Sequence, residues 1–263
     1  MDFGVFYTCF TEKNAVDYSI EVLKNIYPSI PIYLVSDGGL DYSFLKDKYS
    51  NIETKLEYDS RGFIPSIGND FKEENIQSKI KDSILTFLDR INRGIDYCDK
   101  EYLLIMESDV LVRGRLNNPE NKKLLGSRIN SGLSDELKNI LSNYKTGISI
   151  NNWGAVPAIF NCNTFKLAYN NLLNDDKLFN ELCMSDSRLS NYDVLLPVLF
   201  ATIGIEESFN SEIIECFRNS NWENTIHPLV HQYRAKYPLS TDGYIGTHII
   251  NNNGLKDRWD WKR

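Results

Sequence analysis

An α/β fold, with one mostly parallel sheet flanked by helices, is what three observations on this 263-residue sequence predict. Strand-like and helix-like segments alternate through residues 3–109. Polar residues gather at the ends of the strand-like segments, where such sheets place their ligands. The 42% hydrophobic content is enough for one sizeable core.

Each element has its own signal. "FGVFYTCF" is rich in β-formers. "EKNAVDYSIEVLKNIYP" sets Val16, Ile20, Leu23 and Ile26 at helical spacing before Pro28 stops the helix. "IPIYLVSD" reads as a second, buried strand, closed by the turn pair Gly38-Gly39. A short helix over "DYSFLKDKY" and a strand around "IETKLEY" follow, and "SRGFIPSIGNDF" reads as a loop. From about Glu73 to Cys98, Ile76, Ile80, Ile84, Leu88 and Ile91 mark one face of a long amphipathic helix. The strand Tyr102–Met106 comes next, ending in Glu107-Ser108-Asp109. Residues 115–152 are polar and Asn-rich, and the prediction is a surface insertion with one helix near Ser134 to Tyr144. "WGAVPAIFNCNTFKLAYNNLL" reads as a strand then a helix, and "NYDVLLPVLFATIG" as another helix. The expectation is one domain over 1–263: a nucleotide-binding half (1–114), the insertion (115–152), and an acceptor and sugar half with its tail (153–263).

A formal net charge of −7 gives no footing for nucleic acid or an anionic membrane as main partner. Five scattered cysteines, with no CxxC pair, argue against a disulfide framework and a cysteine zinc site. They favour a reducing compartment. The absence of an N-x-S/T sequon, of a basic leader before "MDFGVFYTCF" and of a long apolar run fits the same expectation: a soluble, cytoplasmic protein.

The chemistry concentrates in "EYLLIMESDVLVRGR". Two carboxylates at the end of a buried strand are costly unless a cation neutralises them. One residue apart, Glu107 and Asp109 can both reach one divalent ion if the backbone turns there. Hard oxygen ligands suit Mg²⁺ or Mn²⁺. Two solvated acids closing a strand are the plain alternative.

"LLIMESDVLVRGRL" resembles the DxD strand of GT-A fold glycosyltransferases, family-8-like ones in particular. Three later stretches resemble that family's elements in the right order. "WGAVPAIFNCNTFK" is similar to the small-residue strand lining the sugar pocket, "NYDVLLPVLF" to the helix facing the reacting sugar, and "HQYRAKYP" to the C-terminal His…Lys element. The resemblance implies a single GT-A (Rossmann-like) domain using a nucleotide sugar, a UDP-sugar first, with Mn²⁺ or Mg²⁺.

The site residues follow from it. Asp109 is the main metal ligand, with Glu107 approaching metal and ribose and His231 the distal ligand. Lys236 contacts the diphosphate, and Thr8, Phe10 and Asp37 grip the nucleoside. Gly154 and Ala155 leave room for the donor sugar, and Asp193 faces the sugar hydroxyls or acceptor. Lys81, with Lys79 beside it on the long helix, is a phosphate contact by analogy, although a solvated helix face explains both. If the anomeric centre is inverted, Asp193 and Asp186 are both candidate bases.

Two positions depart from the pattern: Glu107 stands for the first Asp, and Tyr192 stands where retaining family-8-like enzymes often show Gln. Inversion and retention both stay open. The implied function is a hexosyl- or pentosyltransferase acting on a hydroxyl of a glycan or protein; the alternative is a non-catalytic sugar-nucleotide or glycan binding protein on the same scaffold. A nucleotidyltransferase fits poorly, since "YTCFTEKN" lacks the Gly-rich phosphate loop. His227, before Pro228, reads as closing a strand, His248 as a strand-face histidine, and Cys162 and Cys183 as buried thiols.

Overall fold

The computed structural model describes residues 1–10, 12–57, 76–117, 119, 122–129, 134–144, 153–186, 189, 192–205, 208–209, 213–215 and 227–231. Side chains at 76, 77, 79, 127–129, 144, 153–156, 192–193, 208–209, 213–215 and 231 lie outside that description.

The elements are, in order, β1 (Phe3–Cys9), α1 (Lys13–Ile26), β2 (Ile32–Asp37), α2 (Phe44–Lys48), β3 (Ile52–Glu57), α3 (Ile76–Cys98), β4 (Tyr102–Glu107), β5 (Leu111–Val112), β6 (Leu124–Ile129), α4 (Asp135–Tyr144), β7 (Trp153–Asn161), α5 (Cys162–Leu173), α6 (Asp176–Ser185), α7 (Tyr192–Ala201), β8 (Ser208–Phe209), β9 (Ile213–Glu215) and β10 (Leu229–His231). Seven strands form the central sheet in the order β3-β2-β1-β4-β7-β6-β8, and β5-β10-β9 form a small second sheet. β1 to β4 run parallel, β7 opposes β4 and β6, and β8 runs parallel to β6. The mostly parallel sheet flanked by helices, with the Glu107–Asp109 motif at a strand end, is the expected layout.

Successive side chains of a strand point to opposite faces. Phe6, Tyr33, Val35, Leu103, Ile105 and Phe160 face a core closed by α3, α5, α6 and α7. Val5, Tyr7, Ile32, Leu34, Leu104, Met106 and Ile159 face the other core, closed by Val16, Ile20 and Leu23 of α1. A sheet covered on both faces needs strands apolar throughout, which is why β1, β2 and β4 read as continuous runs. Each such side chain taken from water contributes about 1.5–3 kcal/mol. α7 is apolar all round because it is buried all round, from Val194 to Ala201.

One expectation is corrected. Six residues of the polar stretch 115–152, Leu124–Ile129, form β6 inside the central sheet, with Leu124 and Leu125 buried. "LLGSRI" is short, holds a glycine and takes a register shift between Gly126 and Ser127, so its periodicity is weak. Its place is decided by pairing with β7, about 30 residues downstream in the chain. The helix expected near Ser134 to Tyr144 is α4.

Candidate active site

β1, β2, β3 and β4 all end at one edge of the sheet. Parallel register sets Thr8 beside Glu107, Cys9 beside Ser36, and Asp37 beside Glu57. The loops after β1 and β2 are bonded together through the Phe10 carbonyl. It accepts the Leu40 N–H at 2.9 Å, the Ser36 hydroxyl at 3.3 Å and the Tyr42 hydroxyl at 3.3 Å. Gly39 permits this approach: any Cβ there would collide with the Phe10 backbone. Gly38 has φ +67°, a left-handed conformation open to glycine without strain. The Phe10 N–H in turn donates to Oε2 of the buried Glu12 at 3.3 Å. Cys9, behind Phe10, is a buried thiol. Burial first, then the Glu12 charge, push it well above the ordinary thiol range, so it stays protonated and inert.

At the end of β4 the chain turns. The Val110 N–H donates to the Glu107 carbonyl at 3.0 Å, closing a tight turn over Glu107, Ser108 and Asp109. The buried Ser19 hydroxyl of α1 donates to the Val110 carbonyl at 2.8 Å and anchors the exit of that turn. Glu107 is half-buried and Asp109 only 6% exposed. β5 then pairs antiparallel with β10, Leu111 opposite Val230 and Val112 opposite Leu229. His231, the last residue of β10, pairs on the other side with Glu215 of β9. The Arg113 N–H to Pro228 carbonyl bond, 2.7 Å, extends the β5–β10 ladder. The β5–β10 pairing thus joins the segment that follows the Glu107–Asp109 turn to a strand more than 100 residues later in the chain, the one that ends in His231. Among the described residues no three His, Cys, Asp or Glu side chains gather as a metal group, and the His231 side chain is outside the described ones.

β7 opposes β4, with Ile105 facing Ala158, so its N-terminal end reaches the same edge. Gly154 and Ala155 lie there, paired with Arg128 and Ser127. The Asp193 backbone is in the first turn of α7, which packs on β7; its side chain lies outside the described residues. Asp186 is 6% exposed just past α6, where its carbonyl accepts the Leu189 N–H at 3.1 Å. Lys81 turns to α6, donating to the Asn180 side-chain oxygen at 3.3 Å with its ammonium 5.0 Å above the Phe179 ring. It helps hold α3 on α6. Lys236 and His248 fall outside the described residues, as does the Lys79 side chain. Cys162 and Cys183 are free and buried, as expected. Burial pushes their thiols up to about 12 and about 11.

Sequence reasoning missed an arginine. Arg90 on α3 is 0% exposed. Its Nε donates to Glu57 at 2.7 Å and its Nη2 to Asp37 at 3.0 Å. Arg93, three residues on, donates from Nη1 to the other oxygen of Glu57 at 2.6 Å and pairs through Nε with Asp89 at 3.0 Å. Burial alone would raise the Glu57 carboxyl, but hydrogen bonds from Arg93 and Arg90 outweigh it and hold it below the usual range. A signal was present: Arg90 falls in the helix row Ser83, Phe87, Arg90, Gly94, whose other members are small or aromatic, and all four are buried. An arginine in an apolar row needs acidic partners.

Among the described residues, no helix is long and apolar enough to cross a membrane. No family model matches the chain, and no curated protein matches it. Solved structures similar to it include two glycosyltransferases and TarS. The galactosyltransferase LgtC, solved with donor and acceptor sugar analogs, is 12% identical over 86% of each chain, with a TM-score of 0.47. The glycosyltransferase GlyE of Streptococcus pneumoniae is 11% identical over 91% of this chain and 56% of its own, TM-score 0.44. TarS of S. aureus is 12% identical over 80% of this chain and 35% of its own, TM-score 0.42. At these identities the likeness is one of fold, and what the site does has to be argued from its residues.

Proposed function

We propose that this chain is a metal-dependent glycosyltransferase that takes a sugar from a nucleotide diphosphate sugar, a UDP-sugar, and transfers it to a hydroxyl of a glycan or protein. The observation that carries this reading is the tight turn over Glu107, Ser108 and Asp109 at the carboxyl end of β4, followed by a strand paired to the one that holds His231. The donor set fits the metal: two carboxylates, one of them buried, at the ligand edge of an α/β sheet suit Mn²⁺ or Mg²⁺. Glu107, Asp109 and His231 would hold the ion. Bound there, it would supply charge neutralisation for the departing diphosphate.

The chain's own residues do the rest. Lys236 is assigned to the diphosphate as a point charge, which adds to the same electrostatic stabilisation. Thr8, Phe10 and Asp37 hold the nucleoside across the ends of β1 and β2. Gly154 and Ala155 carry almost no side chain, which leaves space for a sugar beside β4. The acceptor hydroxyl must lose its proton as the glycosidic bond forms, and if the anomeric centre is inverted Asp193 or Asp186 is the carboxylate that receives it. His231 ligates only as the neutral imidazole, so metal affinity falls on acidification toward about pH 6.

Thermal shift with nucleoside diphosphates, each with Mn²⁺ and with chelator, tests the reading. A ligand at about 100 times its Kd adds roughly 2.7 kcal/mol of stability. The expected result is stabilisation by UDP that requires Mn²⁺, with the donor nominated by the sugar giving the largest shift. No response to any nucleotide with metal would leave the carboxylates as the capped end of a strand and end the transferase reading. Stabilisation without transfer from any donor would move it to a sugar-nucleotide binding protein, as the departures at Glu107 and Tyr192 would then explain.

A further inference from the structure

The segment that leaves the Glu107–Asp109 turn is held from two sides. On one side is α1: the Ser19 hydroxyl donates to the Val110 carbonyl at 2.8 Å, and the Tyr27 hydroxyl accepts the Leu116 N–H at 2.6 Å. On the other is β10, laid against β5 by the pairs Leu111–Val230 and Val112–Leu229 and by the Arg113 N–H on the Pro228 carbonyl at 2.7 Å. All four paired residues are buried, so the seat lies in the interior. The approach is tightest one residue further on. A Cβ built on Gly114 would stand 2.9 Å from the Pro228 Cβ and 3.2 Å from its Cα, inside the roughly 3.5–4.0 Å at which carbons pack. Gly114 is not among the described glycines with positive φ, Gly38 and Gly204. What the fold needs there is the missing side chain and not the backbone freedom.

We propose that Gly114 is a positioning residue: by carrying no Cβ it lets Pro228 seat on the segment after the turn, and so sets where the strand ending in His231 stands relative to Glu107 and Asp109. This rests on the reading of those three as metal ligands. Distances decide whether such a contact matters. A methyl at position 114 obliges Pro228 to give by a few tenths of an ångström, and a metal site tolerates only about 0.2 Å in its ligand distances. The turn is not free to follow, because Ser19 and Tyr27 hold Val110 and Leu116 on α1. Nor does β10 bend by itself: β9 pairs with it along its length, Ile213 with Leu229, Ile214 with Val230 and Glu215 with His231. A push at Pro228 is therefore passed along β10 toward His231.

Thermal shift of the full chain at fixed UDP, titrated with Mn²⁺, reads the metal site without turnover. Gly114→Ala should raise the Mn²⁺ concentration for half-maximal stabilisation about tenfold, the usual scale for losing support behind a metal ligand. Pro228→Gly should raise it about threefold. In the double variant the alanine methyl takes the space that the proline Cβ leaves, so its Mn²⁺ requirement should fall below that of Gly114→Ala alone. A Gly114→Ala protein whose thermal midpoint drops equally at every Mn²⁺ concentration has lost packing only, and sinks the proposal. So does a double variant that needs as much Mn²⁺ as Gly114→Ala. His231→Ala separates this inference from the reading it rests on. An unchanged Mn²⁺ requirement there removes His231 from the metal set and the inference with it; a rise there with none in Gly114→Ala overturns the inference alone. If Gly114→Ala does not fold, Pro228→Gly decides by itself, since it removes the other half of the seat, and an unchanged Mn²⁺ requirement then overturns the proposal.

Discussion

Two pairs of carboxylates stand at the same edge of the sheet, and they are held in opposite ways. Asp37 and Glu57 end neighbouring strands and are clamped by arginines on α3, one of them fully buried. Glu107 and Asp109 are one residue apart on one turn, whose backbone is held by the Val110 N–H on the Glu107 carbonyl, the Ser19 hydroxyl on the Val110 carbonyl and the β5–β10 ladder. The first pair carries its countercharge within the fold. The second is placed so that the ladder brings a histidine-bearing strand to its side. Acids neutralised by the chain's own arginines serve the architecture and at most one ligand contact. Acids fixed by main chain at a ligand edge are suited to bind an ion supplied from outside.

The strongest way to break the comparison is to remove each pair's support. Arg90→Met leaves two partly buried acids facing each other, and urea denaturation should show a loss of about 3–5 kcal/mol. A loss below about 1 kcal/mol would mean that Asp37 and Glu57 need no clamp. Asp109→Asn should do the reverse. Stability should stay close to that of the unaltered chain, while Mn²⁺-dependent turnover drops at least about hundredfold. An Asp109→Asn enzyme with full activity would falsify the metal assignment.

Ser19→Ala sharpens the second half of the comparison, because it touches the turn and neither carboxylate. The Val110 carbonyl loses its buried partner, at a cost of about 1–3 kcal/mol. The Mn²⁺ concentration giving half-maximal stabilisation by UDP should rise about tenfold, as when a group that orients metal ligands is lost. An unchanged Mn²⁺ requirement would show that the turn holds itself without α1.

The smallest effect is a pH dependence of the first pair. The folded carboxyl of Glu57 lies below its unfolded value, so it contributes stability that is present above the unfolded carboxyl range and is lost as pH falls through the folded one. Below about pH 4, Glu57→Gln should therefore flatten the acid limb of the stability curve, read as thermal midpoint against pH. A limb of unchanged slope would place the acid sensitivity elsewhere.

Much of this was legible in the chain, and the limits have physical reasons. Local periodicity marked α1, α3, α5 and α7 because an amphipathic or fully apolar helix writes its packing every three to four residues. β1, β2 and β4 were legible because both their faces are buried. β6 was not, since six residues with a glycine and a register shift take their place from β7 rather than from their own pattern. Glu107 and Asp109 stood out because their oddity is local, two acids ending an apolar run. Arg90 did not, although it sits in a buried helix row. Its partners are 33 and 53 residues away, and the row shows only that an acid is needed, not which one supplies it.

By itself, then, the sequence determined the fold class, the strand that carries the acids and the order of the motifs, all of which follow from short-range patterns of burial and spacing. Tertiary structure alone decided that Leu124–Ile129 joins the sheet, that the strand ending in His231 pairs with the one that follows the Glu107–Asp109 turn, and that Asp37 and Glu57 share a buried guanidinium. Each of these is a contact between segments separated by about 30 residues or more. Such a contact depends on which surfaces meet once the chain has closed the intervening loop, and that closure leaves no local mark in the residues it joins.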